Sequence, residues 1–379
     1  MNDLSSARQS AAQPARSSAL PLLLGLFEKR IEGDDSLLEL ARLRFQQAGL
    51  DAEMHAETPE QHEQDLKFRP SEQRPVVLHL PRDFNLTEEN TRRQVSRFAF
   101  QFAGRVCGMV LHDHPDLTAR PEAFVQAARA MNSQLETIAA TPKLFVEYAA
   151  SLEPAAFAEF FGSIRELEHI SACIDSGHLG IWQARRTFSQ VHPGEDVCAL
   201  KSQPASLPQL MPDVDAAVAS ALPVVLDLIR RVGALGKPLH FHLHDGHPLS
   251  TFSPFGVSDH LSFLAAIPLR FEHRGRRLAP LMFGQDGLKQ IVAAALQAIA
   301  PEHVSLTLEI HPTFERRPLG DAAHLFRHWT DKTNAEKMNH WLRVLAQNQA
   351  LVRRNVLTPH GTDARAYALQ LRRQFGIHL

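Results

Sequence analysis

The feature that most constrains this chain is a residue of metal-ligand type inside each of six short apolar segments. The segments are VVLHLP (His79), MVLHDHP (His112), LFVEYA (Glu147), ACIDSGH (Asp175 and His178), LHFHLHD (His242) and LTLEIHP (Glu309). A charged or imidazole side chain within an apolar run is costly to bury unless it is paired or bound to a metal. Because the segments alternate with helix-like stretches, the sequence predicts one shared site rather than six separate ones.

Side-chain alternation predicts that these ligand-type residues face a common interior. Successive side chains of a strand point to opposite faces. Glu147 therefore shares a face with Phe145, and Glu309 shares one with Ser305 and Thr307. The remaining, mostly apolar set is suited to pack beneath helices. This pattern is typical of a parallel barrel whose inner mouth holds a polar site.

The order of strand-like and helix-like segments predicts the fold class. LPLLLGLFE (20–28) is predicted as the first strand, FLAAIPLRFE (263–272) as the seventh, and VSLTLEI as the eighth. Strands that alternate with helices favour a parallel sheet. Eight such units over roughly 300 residues predict an α/β TIM (β/α)8 barrel with long loops on its C-terminal face and extra C-terminal helices. No GxGxxG turn follows the first strand, which disfavours an open doubly wound sheet.

The chain is predicted to have three regions. They are a disordered leader (1–18), the TIM barrel (19–320) and a C-terminal helical extension packed on the barrel or on a partner subunit (321–379). A transit peptide is the alternative for the leader. Residues 51–74 are polar and are predicted to form a loop, with His62 exposed. Residues 180–212 and 246–287 are predicted to be long loops that cover the substrate.

Composition limits the compartment and the partners that we expect. Lys and Arg total 40 against 42 Asp and Glu, so no global basic balance favours nucleic acid or a membrane surface. The three cysteines fit no zinc-ribbon or disulfide spacing, which indicates a reducing compartment, and we expect a cytoplasmic protein. No apolar run approaches the ~20 residues that span a bilayer. We expect a small-molecule substrate, no nucleic-acid or membrane partner, and possible homo-oligomers.

The residue types of the predicted site favour a divalent metal. Carboxylates and imidazoles suit Mn, Zn or Fe, and the absence of a cysteine cluster disfavours a structural zinc site. The predicted metal ligands are His79, His112, Glu147, Asp175, His178, His242 and Glu309. Substrate contacts are predicted for His244, Asp245, Asp259 and His260. We expect one to three ions.

With these motifs the chain resembles the xylose isomerase-like TIM-barrel superfamily. That group includes sugar-phosphate isomerases and epimerases, and apurinic endonucleases of the endonuclease IV type. The resemblance covers roughly residues 20–312. It is carried by a Glu on the fourth predicted strand, Asp-x-x-His on the fifth, a His on the sixth and a Glu on the eighth. These are Glu147, Asp175, His178, His242 and Glu309.

The two branches of the superfamily imply different numbers of ions. In the epimerase branch, the two Glu, the Asp and the sixth-strand His bind one ion, and the two Glu also move protons. In the endonuclease branch, histidines that match His79 and His112 add further metals. That branch usually carries an Asp-x-His pair on the seventh strand, where this chain has only Ser258, Asp259 and His260.

The resemblance implies a divalent-metal-dependent isomerase, epimerase or lyase that acts on a small polyoxygenated, sugar-like substrate. Glu147 and Glu309 would form the acid/base pair, and His178 would orient or polarise a substrate oxygen. The alternatives are a multinuclear metal phosphodiesterase resembling apurinic endonucleases, an iron-dependent oxidative enzyme of the same superfamily, and a barrel that only binds. One bound ion would support the first hypothesis, and two or three would support the phosphodiesterase or the oxidative enzyme.

Overall fold

A computed structural model describes residues 22–26, 35–69, 72, 76–149, 152–203, 205–251, 260–310 and 335–357. Its strands are β1 (Leu22–Leu26), β2 (Asp51–His55), β3 (Val76–His79), β4 (Gly108–His112), β5 (Lys143–Glu147), β6 (Ile170–Asp175), β7 (Leu239–Leu243), β8 (Ile267–His273), β9 (Arg276–Ala279) and β10 (Val304–Leu308). Eight of them form a closed barrel in the order β1-β10-β7-β6-β5-β4-β3-β2, and every pairing in it is parallel. The predicted TIM barrel is confirmed.

Helices surround the barrel. They are α1 (Asp35–Ala48), α2 (Pro59–Asp65), α3 (Glu89–Gln101), α4 (Asp116–Ala119), α5 (Pro121–Glu136), α6 (Pro154–Ser163), α7 (Ser176–Val191), α8 (Leu207–Ala219), α9 (Ala221–Gly233), α10 (Gly284–Ala298) and α11 (Ala335–Leu357). Short 3-10 turns lie at Leu66–Phe68, Val197–Ser202, Pro248–Ser250 and Pro301–His303.

The barrel separates apolar from polar side chains in the way that strand alternation predicts. Outward residues such as Leu144 and Val146 of β5 belong to the large core between strands and helices. Within the barrel, a small apolar cluster is formed by Leu24, Val77, Val110, Phe145 and Cys173. The residues that follow on the same inward face of β3 to β6 are polar and lie at the carboxyl ends of the strands.

The predicted loop over 51–74 is wrong. Residues 51–55 form β2, which pairs with β1 on one side and β3 on the other. Helix α2 follows, and the hydroxyl of Thr58 caps it by accepting a hydrogen bond from the backbone N–H of Gln61 at 3.2 Å. His62 is fully buried rather than exposed, and its ring packs edge-on against Phe102 with centroids 4.6 Å apart.

The predicted seventh barrel strand is also wrong. Its segment forms β8, which pairs in antiparallel fashion with β9 outside the barrel. The two strands are joined at Arg274 and Gly275, whose φ angles of 50° and 72° are typical of a tight hairpin turn. Since β2 was missed and β8 was placed in the barrel, the two errors cancel and the count of eight strands holds.

The two predicted long loops differ in structure. Most of 180–212 is helical, because α7 continues to Val191 and α8 begins at Leu207. The stretch 246–287 contains the β8–β9 hairpin and the first turn of α10, and its residues 252–259 lie outside the described residues. The covering of a substrate by these stretches stays a prediction.

Helix α11 packs on the barrel between α1 and α10. The indole N–H of its Trp341 donates to the carbonyl of Ile310 at 2.8 Å, and the ring lies 6.2 Å from that of Phe45. The predicted leader, the boundary at 320 and most of the predicted C-terminal extension (321–379) lie outside the described residues, so the domain boundaries stay predictions. Among the described helices, none has the length and apolarity needed to cross a bilayer.

We expect His62 to make the fold less stable in acid. Burial lowers the pKa of this imidazole to about 4, while an unfolded histidine titrates near 6.5. The folded state therefore keeps His62 neutral over a range in which the unfolded state binds a proton, so stability is full above pH 6.5 and falls progressively as the pH drops towards 4. Urea unfolding of wild type and His62→Leu should show a difference in unfolding free energy that shifts by about 2 kcal/mol in favour of the variant between pH 7 and pH 4.5. An unchanged difference would show that His62 is protonated in the fold.

Candidate metal centre

The predicted metal ligands converge at the carboxyl end of the barrel. His79, His112, Glu147 and Asp175 are the last residues of β3, β4, β5 and β6, His242 is the penultimate residue of β7, and Glu309 directly follows β10. Parallel strands bring their carboxyl ends to one edge, which is where TIM barrels carry their sites. The alternation inferred from sequence thus places these side chains on the inner face.

Glu147 lies at the centre of this group and contacts imidazoles from three strands. Its Oε2 lies 3.2 Å from Nε2 of His79 and 3.4 Å from Nε2 of His112. Its Oε1 lies 3.3 Å from Nδ1 of His242. Ligand atoms of His79, His112 and Glu147 all lie within 4.8 Å of one another, so these three residues could supply three ligands to one ion.

A second group shares Glu147 and adds two carboxylates. Its members are Glu147, Asp175, His242 and Glu309, again with ligand atoms within 4.8 Å of one another. Nδ1 of His242 lies 3.0 Å from Oε2 of Glu309 and 3.9 Å from Oδ2 of Asp175. This Nδ1 and this Oε2 form a close ion pair but no hydrogen bond of regular geometry among the described residues. When the imidazole gives up its proton, a nitrogen and a carboxylate oxygen this close together fit a divalent cation.

A third group joins Asp175 to three histidines. Its members are Asp175, His178, His244 and His260. Oδ2 of Asp175 lies 2.9 Å from Nε2 of His244 and 3.7 Å from Nε2 of His178. The rings of His244 and His260 stack with centroids 4.1 Å apart. His244 and His260 were predicted as substrate residues, and the structure brings them among the predicted metal ligands.

The sequence between Asp175 and His178 explains how this third group forms. Oδ1 of Asp175 accepts the backbone N–H of His178 at 2.6 Å and so caps α7, which turns His178 back towards the barrel axis. Between them, Gly177 lies against the imidazole of His244. A Cβ atom at position 177 would lie 2.0 Å from Cε1 of that ring, so His244 can occupy its place only because residue 177 has no side chain.

The carboxylates of the centre are held in the charged form. Burial alone would raise the pKa of Glu147 and of Glu309. For Glu147 the charges of His242 and His112 outweigh burial, and for Glu309 those of His260 and His242 do, so both pKa values lie well below the ordinary range. Burial likewise opposes protonation of His242, but the neighbouring Cys173 and the carboxylates of Glu53, Glu147 and Glu309 raise its pKa well above the usual value. Because a ligand nitrogen must lose its proton to bind metal, metal uptake here is expected to release protons.

Sequence reasoning missed Glu53 and His240 as parts of the site. Both are fully buried inside the barrel below the predicted ligands. Glu53 lies 2.9 Å from Nε2 of His242 and 3.0 Å from Nε2 of His240. The signal was the alternation in DAEMH, where Asp51, Glu53 and His55 share one face, but the segment is too polar to suggest a barrel strand by composition.

The other two predicted substrate residues are Asp245, which belongs to none of the ligand groups, and Asp259. The carboxylate of Asp245 accepts the backbone N–H groups of Gly246 at 2.8 Å, Phe283 at 3.2 Å and Gly284 at 2.6 Å. Burial raises its pKa to about 7, and these N–H groups oppose the rise. Asp245 thus fastens the start of α10 to the barrel mouth. Asp259 lies outside the described residues.

Comparison with known proteins gives only distant similarities to solved structures. No family model and no curated protein matches the chain. Among solved structures, AsfvAP:AG is 14% identical with a TM-score of 0.47, covering 88% of this chain and 100% of that one. Rhizobium etli pyruvate carboxylase crystallized without acetyl coenzyme-A is 10% identical with a TM-score of 0.35, covering 91% and 29%. The carboxyl transferase domain of that enzyme with 3-hydroxypyruvate is 11% identical with a TM-score of 0.36, covering 93% and 51%. Similarity this low carries no conclusion about family or activity.

We expect Asp175→Asn to lose metal without losing the fold. Asparagine caps a helix about as well as aspartate, so α7 should still begin at residue 176, whereas two ligand groups lose their shared anion. Metal content, measured by plasma mass spectrometry after dialysis, should fall, and the circular dichroism spectrum should stay unchanged. Asp196→Asn is the matched control, because Asp196 likewise caps a helical turn through a backbone N–H, that of Cys198, but belongs to none of the ligand groups. Full metal occupancy in Asp175→Asn would contradict the assignment of this residue.

We expect Gly177→Ala to disable the third ligand group selectively. The added methyl group must displace the His244 ring and so break its contact with Asp175. Bound metal should decrease but not vanish, because the groups around Glu147 do not include His244. Gly162→Ala is the control, since a Cβ there meets nothing within 4 Å. Equal metal content in the two variants would exclude His244 from the centre.

Proposed function

We propose that this protein is a divalent-metal-dependent enzyme whose centre holds more than one ion and acts on a small polyoxygenated substrate. The observation that carries the proposal is that Glu147 and Asp175 each belong to two ligand groups. A carboxylate with two oxygens that serves two neighbouring ligand sets is the ordinary bridge of a multinuclear centre. This arrangement is consistent with membership of the xylose isomerase-like superfamily, which the sequence motifs suggested.

The donor set favours Mn, Zn or Fe. The ligand groups at the mouth supply imidazole nitrogens and carboxylate oxygens. The buried thiol of Cys173 lies two residues before Asp175 on the same face of β6, deeper in the barrel. When bound, divalent ions at such a centre polarise substrate oxygens or lower the pKa of a bound water. The residues of the chain would then bind the ions, exclude bulk water and orient the substrate. His178 lies in the first turn of α7, where its side chain is partly exposed and suited to contact a substrate oxygen.

Two reaction classes use this geometry. In isomerase-type chemistry, Glu147 and Glu309 would exchange protons with the substrate, one on each face of it. Both carboxylates lie against Nδ1 of His242, at 3.3 Å and 3.0 Å. A multinuclear phosphodiesterase or iron-dependent oxidative reaction is the second candidate. It is favoured by one observation, that His79 and His112 complete a separate ligand set around Glu147. That set has no role in a reaction with a single ion.

The number of bound ions tests the proposal. Protein purified without added metal, and then supplied with Zn, Mn or Fe, should bind two or more ions per chain. His112→Gln should reduce that number while leaving the ions that Asp175 and His242 would hold. The control is His192→Gln, because His192 pairs with Asp213 at 2.8 Å away from the barrel mouth. A protein that never holds more than one ion would refute a multinuclear centre, and one that holds none would refute the proposal entirely.

Activity assays separate the two reaction classes. The metal-loaded protein would be assayed for exchange of substrate hydrogen with deuterated water on ketose and aldose phosphates, and for hydrolysis of a synthetic phosphodiester. A DNA duplex with an abasic site, assayed for binding and cleavage at physiological salt, tests the prediction that the protein has no nucleic-acid partner. Hydrogen exchange that Glu309→Gln abolishes supports the isomerase class. Phosphodiester hydrolysis that depends on His112 supports the second candidate.

A further inference from the structure

A second polar layer lies inside the barrel, directly below the proposed metal centre. It consists of Glu53 on β2, His240 on β7, and Ser305 and Thr307 on β10, and Glu53, His240 and Thr307 are completely buried. The interior of a TIM barrel is ordinarily filled by branched apolar side chains. A buried carboxylate costs several kcal/mol unless donors surround it, so the layer calls for an explanation beyond packing.

The carboxylate of Glu53 is satisfied from two other strands. Its Oε1 lies 2.9 Å from Nε2 of His242. Its Oε2 lies 3.0 Å from Nε2 of His240 and accepts the hydroxyl of Thr307 at 2.5 Å. His240 is held in turn, because its Nδ1 lies 2.6 Å from the hydroxyl of Ser305. Every oxygen of Glu53 is therefore committed, and its position is set by contacts with β7 and β10.

We propose that Glu53 is the positioning residue of His242, fixing which ring nitrogen faces the metal centre. With its proton on Nε2 and shared with Glu53, His242 would offer the lone pair of Nδ1 to an ion held by the carboxylates of Glu147, Asp175 and Glu309. The inference rests on the proposed metal-dependent function. A carboxylate behind a ligand histidine fixes the tautomer and ring orientation and makes the imidazole a stronger ligand.

The contacts of Glu53 favour this role over direct metal ligation. Ligand atoms of Glu53, His79 and His242 also lie within 4.8 Å of one another, so a direct role must be tested. However, Nε2 of His242 lies against Glu53 itself, and Oε2 of Glu53 is already shared by His240 and Thr307. An ion bound there would have to displace these donors, whereas Nδ1 of His242 faces three predicted metal ligands, at 3.0 Å from Glu309, 3.3 Å from Glu147 and 3.9 Å from Asp175.

The test compares Glu53→Gln with Thr307→Val. A glutamine at position 53 keeps the shape but puts an amide N–H against one of the two imidazole N–H groups, so the hold on His242 weakens. Thr307→Val removes another contact of Glu53 and leaves the one to His242 in place. Zinc affinity, measured by competition with a chelator, should fall about 10- to 100-fold in Glu53→Gln and much less in Thr307→Val. The number of ions at saturating zinc should match wild type in both. The visible spectrum of the cobalt-loaded protein should change only in Glu53→Gln.

A measurement on the wild-type protein guards against a Glu53→Gln variant that fails to fold. Nitrogen-15 NMR of the zinc-loaded wild type should show His242 protonated at Nε2 and metal-bound at Nδ1, with the signal assigned by its loss in His242→Gln. The opposite tautomer, or wild-type zinc affinity in Glu53→Gln, would overturn the proposal. Loss of one whole ion at saturating zinc would make Glu53 a ligand instead. If the wild type binds no metal at all, it is the proposed function that fails.

Discussion

The pairing of buried carboxylates with imidazoles from other strands organises the mouth of this barrel. Glu53, Glu147, Asp175 and Glu309 are all buried, and each contacts at least two histidines. Removing one partner of a buried ion pair typically costs about 3–5 kcal/mol, but replacing the whole pair by apolar residues is often neutral or stabilising. A network of this size is therefore poorly explained by stability, and a functional role accounts for it better.

The rest of the architecture supports this network from two directions. Below it, Val77, Val110 and Phe145 form the apolar part of the barrel interior and keep water from the lower part of that interior. Around it, the outward residues of the same strands pack beneath the helices. Because alternation sorts each strand into these two faces, the inward side chains of β3 to β6 change from apolar to polar at the carboxyl ends of the strands. Parallel register then brings His112 beside Glu147, and Asp175 beside His242.

The fold class and most of the ligands were predictable because their signals are local. Apolar runs interrupted by one ligand-type residue marked six of the eight barrel strands. Strand β2 was missed because DAEMH has only Ala52 and Met54 on its outer face, and its polar residues are paired through contacts that the sequence does not show. Strand β8 was misplaced because its apolar pattern is that of a barrel strand. The hairpin turn at Arg274 and Gly275 instead joins it to β9.

The third ligand group was beyond sequence reasoning because a tertiary contact creates it. Asp245 and Leu261 exchange backbone hydrogen bonds of 2.7 and 2.8 Å although fifteen residues separate them in the chain, and this bridge brings His260 over His244. His260 has a φ of 53°, a conformation that costs a non-glycine residue on the order of 1 kcal/mol and that persists only where surrounding contacts impose it. A sequence motif identifies the residues at strand ends, but it does not show a tertiary contact such as this bridge, which brings a distant residue next to them. The bridge therefore adds His260 to a ligand group at the mouth. The number of ions was left open between one and three for another reason, because the two branches of the superfamily imply different numbers.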